Sequence, residues 1–288
     1  MVLLFIILLA LVFGQEKRIV AVGDIHGDFQ NALKVLKMAG VTDDKGKWIG
    51  GNNTTLVQTG DILDRGPDTI RLYNYFMQLQ KDAESLGGEV VVLLGNHELM
   101  NLEGDVRYVS SEEEQTFGSK RERKREFSKN GEIGKFILSL NVTKIIDGTI
   151  FVHGGISAKF SKQGADKLNT KARKYLKNGS SKELKEHGLF QKDTDGPLWY
   201  RGFYKNPGKE ACSELQEVLK NMGARRMVMG HTITESKKIE SHCHGQAYFI
   251  DVGISSFYED GSLAALELTK DSATSIYPKE RRRLDFIR

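Results

Sequence analysis

Apolar positions along the chain alternate between two periods, and the changes of period mark the elements. Ile19–Val22 is a short β-branched and apolar run that stops at Gly23, which predicts a strand. Phe29, Ala32, Leu33, Val35, Leu36 and Ala39 follow helical spacing, and Gly40 ends the helix. Lys45–Thr55 is polar and rich in Gly and Asn, a hairpin or loop. Thr55–Gln58 predicts a second strand, and Thr69–Leu86 a second helix stopped by Gly87 and Gly88. Glu89–Leu94, almost wholly Val and Leu, predicts a third strand in a sheet buried on both faces. Strand, loop and helix therefore recur through the first hundred residues, the pattern of an α/β fold with parallel strands.

The pattern then changes. Glu103–Gly134 is dense in charge, with Glu112, Glu113 and Glu114 followed by Lys120, Arg121, Arg123, Lys124 and Arg125. It reads as a solvated helical excursion, with a rim that contacts an anionic substrate as the alternative. Lys144–Val152, broken at Asp147-Gly148, predicts a hairpin. Ala158–His187 is helical and Lys-rich, and Glu210–Met222 is a helix with Ala211, Leu215, Val218, Leu219 and Met222 on one face. Met227–Met229, Ala247–Asp251 and Leu263–Leu268 read as strands. No internal repeat or low-complexity linker divides the chain, so residues 15–288 are expected to form one domain.

The start of the chain is different in kind. Residues 1–13 are all apolar and Gly14 follows; this is short for a membrane span, which needs about 20 residues. It fits the apolar region of a secretory signal peptide covering residues 1–14, with Val12 and Gly14 as the small residues before the cut. A buried first element of the domain is the alternative. The expectation is a protein of the secretory pathway, secreted or in the ER lumen, with no stable membrane span. In that oxidising setting Cys212 and Cys243, the only cysteines, either pair or stay as free thiols. Asn52, Asn53, Asn141 and Asn178 stand in glycosylation triplets. Basic residues number 42 and acidic 38, an excess too small to imply a nucleic-acid partner. Two cysteines also exclude a four-cysteine zinc site, and leave Asp, His and Asn as the metal-binding types.

Those types recur in five loops, each after an apolar run and each beside glycine. They are Gly23-Asp24-Ile25-His26-Gly27, Gly60-Asp61-Ile62-Leu63-Asp64-Arg65-Gly66, Gly95-Asn96-His97-Glu98, His153-Gly154-Gly155 and Gly230-His231. Sites in α/β sheets form at the carboxyl ends of strands, so these loops should converge. Asp24 and Asp61 are 37 residues apart and Asp61 and Asn96 are 35 apart, enough in each case for one strand-helix-strand unit. Four of the seven histidines fall in these loops, which concentrates ligands for one or two ions. Two ions at close range need a bridging carboxylate, and Asp61, in the middle of the series, is the candidate. Arg65, four residues past Asp61, offers a planar fork to phosphate oxygens. Asp28 and Glu98 read as supporting or capping groups, and His242 and His244 as part of a surface loop.

This motif set resembles the calcineurin-like metallophosphoesterases, and within them the phosphoprotein phosphatases. The likeness spans about residues 19–268. Gly95–Tyr108, Pro197–Gly202 and Asp251–Ser255 resemble the bacterial-like Shewanella-like protein phosphatases most. The resemblance implies an α/β fold of four layers, a central β-sandwich flanked by helices. It implies two divalent metal ions, Mn, Fe or Zn, with Asp24, His26 and bridging Asp61 on one and Asn96, His153 and His231 on the other. A hydroxide bridging the ions would attack phosphorus directly. His97 would be the general acid, oriented by Asp64; Arg65, Arg201 and Asn96 would bind the substrate phosphate. The implied substrate is a phosphoprotein carrying phosphoserine or phosphothreonine. Phosphotyrosine, a small phosphomonoester or a dinucleotide polyphosphate are alternatives, the last opposed by Asp64-Arg65 and His97-Glu98. No Ser-Ala-Pro-Asn-Tyr segment follows the last histidine, and the tyrosine that the eukaryotic branch places near its metals has no assigned equivalent. Inhibitor sensitivity and regulatory subunits therefore stay unassigned.

Overall fold

The computed structural model describes residues 16–178, 188–191 and 195–288. The expected leader and the far end of the expected helix through His187 lie outside the described residues.

β1 (Arg18–Val22), β2 (Thr54–Gln58) and β3 (Glu89–Val92) pair in parallel, with Val20 opposite Leu56 and Leu56 opposite Val90. Each crossover carries a helix: α1 (Phe29–Met38) and α2 (Thr69–Ser85), whose apolar stripes are buried. Asp28 caps α1 by accepting from the Asn31 amide. The alternation of strand and helix read from the sequence thus holds. β3 corrects one detail, because it is the last strand of its sheet: Val90 and Val92 are buried while Val91 is only half-buried.

The sheet has six strands, in the order β11-β10-β9-β1-β2-β3, where β9 is Ala265–Leu268, β10 Ala273–Ile276 and β11 Arg281–Leu284. β9 runs antiparallel to β1, so the first strand and the last three share one sheet. The second sheet has the order β4-β5-β6-β8-β7. β4 (Thr143–Ile146) and β5 (Thr149–Val152) form the expected hairpin. Its two-residue turn, Asp147-Gly148, has positive φ at both positions, the conformation that suits the twist of a hairpin. β6 (Arg226–Met229) and β8 (Ala247–Phe249) continue in parallel from β5, and β7 (Glu240–His242) closes the edge. His242 therefore lies on a strand, stacked on Tyr204, rather than in a surface loop. The two sheets, flanked by helices, make the expected sandwich, and residues from both fill one continuous core.

α3 (Asn96–Leu102) follows the third loop, and the charge-dense excursion after it forms α4 (Ser111–Thr116), α5 (Lys120–Glu126) and the start of α6 (Glu132–Ser139). Ser110 and Ser119 cap α4 and α5, each accepting the amide three residues on. The excursion is not wholly solvated as expected. Glu113 and Arg123 are buried and pair at 2.7 Å, each supplying the other's counter-charge. The Lys-rich helix is interrupted, with α7 (Ala158–Ser161) and α8 (Ala165–Asn178) separated at Gly164, whose positive φ ends the first. α9 (Gly202–Lys205) and α10 (Lys209–Met222) follow, and a disulfide joins Cys212 on α10 to Cys243 beyond β7. Among the described residues no helix is long and apolar enough to cross a membrane.

Candidate metal centre

All five loops meet where the parallel strands of the two sheets end. Asp24, Asp61 and Asn96 come from loops after β1, β2 and β3; His153 and His231 come from loops after β5 and β6. With His26 they line one cavity of about 310 Å3, except for His153, which lies fully buried beneath it, 3.3 Å from Asp61. The loops are tight. His26, Asp61, Asp64, Arg65 and His231 all adopt positive φ, a conformation that costs a side chain about 1–3 kcal/mol and that clusters at functional sites. At Gly230 the crowding is direct: a Cβ there would stand 2.5 Å from Asp24 Oδ1 and 2.7 Å from Thr59 Oγ1.

The side chains present acceptors to one another. His153 Nδ1 donates to the Thr59 carbonyl at 2.9 Å, which turns the Nε2 lone pair toward Asn96 Oδ1 at 2.8 Å and Asp61 at 3.3 Å. His26 Nδ1 donates to the Leu63 carbonyl at 3.0 Å, so its Nε2 faces Asp61 at 3.8 Å and Asp24 at 4.0 Å. His231 Nε2 is enclosed without a hydrogen-bond partner. The ligand atoms of His26, Asp61 and His97 lie within 4.8 Å of one another, as do those of Asp61, His153 and His231. Buried acceptors facing acceptors are costly unless a cation sits among them, so the donor set fits divalent metal ions and Asp61 is the residue common to both groups.

Burial, with Asp251 and Asp61 nearby, pushes Asp24 well above the usual carboxylate range. Burial works against ionisation of Asp61 too, but His153, His97 and His26 outweigh it and hold Asp61 well below that range. Burial lowers His26 to about 3 against the pull of Asp61, and lowers His231 well below the ordinary value. Neutral imidazoles with free lone pairs are the form that metals bind.

His97 is held differently. Burial disfavours its cation, yet Asp61 and Asp64 raise its pKa overall. Its Nδ1 is 2.6 Å from Asp64 Oδ2. Asp64 in turn accepts from Asn101 Nδ2 at 3.0 Å, and Asn101 Oδ1 accepts from Arg123 at 2.7 Å. Arg123 then reaches Glu113, completing a buried chain that fixes the ring. Glu98, fully buried, accepts from the amides of Gly95 and Asp61 at 2.8 Å and Ile62 at 2.9 Å, and from Tyr73 at 3.0 Å. That is the expected capping role, extended to tie the second loop to the third. Asp28 likewise caps and also accepts from Ser256 at 2.8 Å.

Both arginines reach the cavity. Arg65 has a buried, unpartnered Nε and lies over the rings of Tyr108, Phe257 and Tyr258. Arg201 donates to the His231 carbonyl at 2.8 Å and Thr232 Oγ1 at 2.9 Å. Five lining residues, Tyr108, Trp199, Ile233, Asp251 and Tyr258, had no role assigned from sequence. Asp251 ends the run after β8 and borders Asp24; Tyr108, Trp199 and Tyr258 form the walls. Tyr258, its ring centre 6.0 Å from that of His26, is a tyrosine in the lining of the cavity. Only its distance from Gly230-His231 in sequence concealed it.

Residues 17–235 match the calcineurin-like phosphoesterase family model. The chain belongs to the calcineurin-like phosphoesterases. It is 40% identical over 264 residues to an uncharacterized protein of Schizosaccharomyces pombe, covering 89% of this chain and 78% of the relative. It is 31% identical to Shewanella-like protein phosphatase 2 of Arabidopsis thaliana, covering 92% of this chain and 78% of that protein. Among solved structures, the cold-active protein-tyrosine phosphatase of a psychrophilic Shewanella species superposes with a TM-score of 0.82 at 30% identity, covering 94% of this chain and 81% of that one. The chain is thus a phosphatase of the metallophosphoesterase family, a hydrolase, related to the Shewanella-like protein phosphatases. Divalent metals are the cofactors of this family, and the buried His and Asp groups offer this chain candidate ligands for them.

Proposed function

We propose that the protein is a dinuclear-metal-dependent phosphoprotein phosphatase that hydrolyses phosphomonoesters. One observation carries the reading: buried acceptors from both sheets converge on Asp61, beside a carboxylate-held histidine and two arginines. Asp24, His26 and Asp61 would hold one ion, and Asn96, His153 and His231 the other, with Asp61 shared. Bound there, divalent ions neutralise phosphate charge and bring the pKa of water toward neutrality. Arg65 and Arg201 grip phosphate oxygens from two sides of the cavity, aided by the Asn96 amide. His97 keeps Nδ1 on Asp64 and turns Nε2 to the cavity, where it delivers a proton to the departing alkoxide. Tyr108, Trp199 and Tyr258 line the walls of the site.

Phosphoserine and phosphothreonine are the proposed substrates, on family resemblance. Phosphotyrosine is a second reading, supported by the aromatic walls and by the similarity to the cold-active protein-tyrosine phosphatase of a Shewanella species. Hydrolysis of para-nitrophenyl phosphate by chelated protein, with and without added Mn2+, tests the chemistry. Folded protein that is inactive with every divalent metal refutes it. Asp61→Asn should lose both metal and turnover. A panel of phosphopeptides carrying each phosphorylated residue decides between the two substrate readings.

We also propose that residues 1–14 direct export and are removed. The Cys212–Cys243 disulfide supports an oxidising compartment. A mature protein that begins at Gln15 is the expected result, and one that retains Met1 refutes cleavage.

A further inference from the structure

The two sheets also meet at the opposite end, where the parallel strands begin. A cleft of about 600 Å3 opens there. Ile19 of β1 and Leu268 of β9 form one wall, and Thr149 and Arg226, paired in register at the starts of β5 and β6, form the other. Arg226 is 3% exposed. Its Nε is enclosed without a hydrogen-bond partner, and its guanidinium lies over the Phe286 ring, at 4.1 Å, and near the Tyr248 phenol. The other buried arginine, Arg123, is fully engaged by Glu113 and Asn101.

A buried guanidinium without an anion is costly, and folded proteins pair such groups. The missing partner of Arg226 has room beside it. Three more cations, Lys17, Arg225 and Lys270, line the same cleft, against the exposed carboxylates of Glu16 and Asp147. We infer that this cleft is a second binding site, for a small oxyanion, phosphate or carboxylate, gripped by Arg226. The planar fork of Arg226 engages two oxygens of one group, and the three outer cations draw the anion in. The cleft exceeds the volume of a bare phosphate, and Ile19 and Leu268 offer an apolar wall to the body of a larger molecule that carries the charged group.

Thermal unfolding of the full chain tests this in an Arg65→Gln/Arg201→Gln background, which weakens phosphate binding at the metal centre. Sodium phosphate and sodium succinate are compared with sodium chloride at equal ionic strength. At tenfold excess over Kd the anion that fits should raise Tm by about 3 °C over chloride. Arg226→Met in the same background should lose that rise, and Lys17→Glu with Lys270→Glu should reduce it; both of these rim lysines are exposed. Which of the two salts acts identifies the ligand chemistry. An equal rise with Arg226→Met, an unchanged rise in the rim variant, or no rise with either salt overturns the proposal. With Arg65 and Arg201 intact, Arg226→Met should leave para-nitrophenyl phosphate turnover unchanged; a loss there would overturn the separateness of the two sites.

Discussion

Glu98 offers the sharpest test of how the loops are held. Its two oxygens take three backbone amides and one phenol, with no cation in direct contact. Glu98→Ala would strand the amides of Gly95, Asp61 and Ile62 in a fully buried place. Each stranded donor costs about 1–3 kcal/mol, and removing a buried charge returns part of that, so the net loss should be about 4–6 kcal/mol. Glu98→Gln is milder. Its oxygen can keep Asp61 and Gly95 while its amino group meets Ile62 N–H and Tyr73. The phenol can turn to accept, which leaves one unpaired amide and a loss of about 1–3 kcal/mol. Urea unfolding followed by circular dichroism gives both values, measured with metal and after chelation so that ligand stabilisation is separated. If Glu98→Ala lies within about 1 kcal/mol of the parent, or Glu98→Gln loses as much as Glu98→Ala, the account of Glu98 as the tie between loops is wrong.

Three further outcomes follow from the same geometry. His97→Asn should cut turnover about 10²–10⁴-fold with metal content unchanged, and more for phosphoserine peptides than for para-nitrophenyl phosphate, whose leaving group needs less help; equal losses on both would argue against proton donation. Arg123→Met leaves Glu113 buried without its partner and should cost about 3–5 kcal/mol in urea, most of which Glu113→Gln should restore in the double variant; additive losses would refute the pairing. Replacing Cys212 and Cys243 by serine opens a link between residues 31 apart and should cost about 3–4 kcal/mol; an unchanged midpoint would mean that the bond contributes nothing to the folded protein.

The candidate ligands were legible because each follows a short apolar run and sits beside glycine, so local pattern and fold agree at Asp24, Asp61 and Asn96. The α/β alternation of the first hundred residues was legible for the same reason. Arg123 was not. It stands among six other charges between Glu112 and Arg125, and nothing local separates it from its solvated neighbours. Its burial depends on Glu113 and Asn101 arriving from other helices. β10 and β11 escaped notice because Ala273–Ile276 is half polar and Arg281–Leu284 is three arginines and a leucine; pairing with β9 makes them strands. β7 is three polar residues whose place is set by its ladder to β8. Asp251 was within a segment noted for its resemblance, but its position against Asp24 depends on β8 ending at the same edge as β1.

The antiparallel partnership of β1 with β9 bears on the order in which the protein can be completed. Val20 pairs across to Glu267, near the far end of the chain. Until β9 has been synthesised, one side of β1 offers unpaired amides and carbonyls along an apolar run, the kind of edge that recruits foreign strands. His231 also arrives late, so a nascent chain holds only part of the candidate metal-ligand set. A product that stops before Ala265 would be an open sheet lacking three of its six strands. Such fragments should aggregate rather than persist as weak enzymes, which makes the last two dozen residues, remote from the chemistry, a requirement for a soluble catalyst.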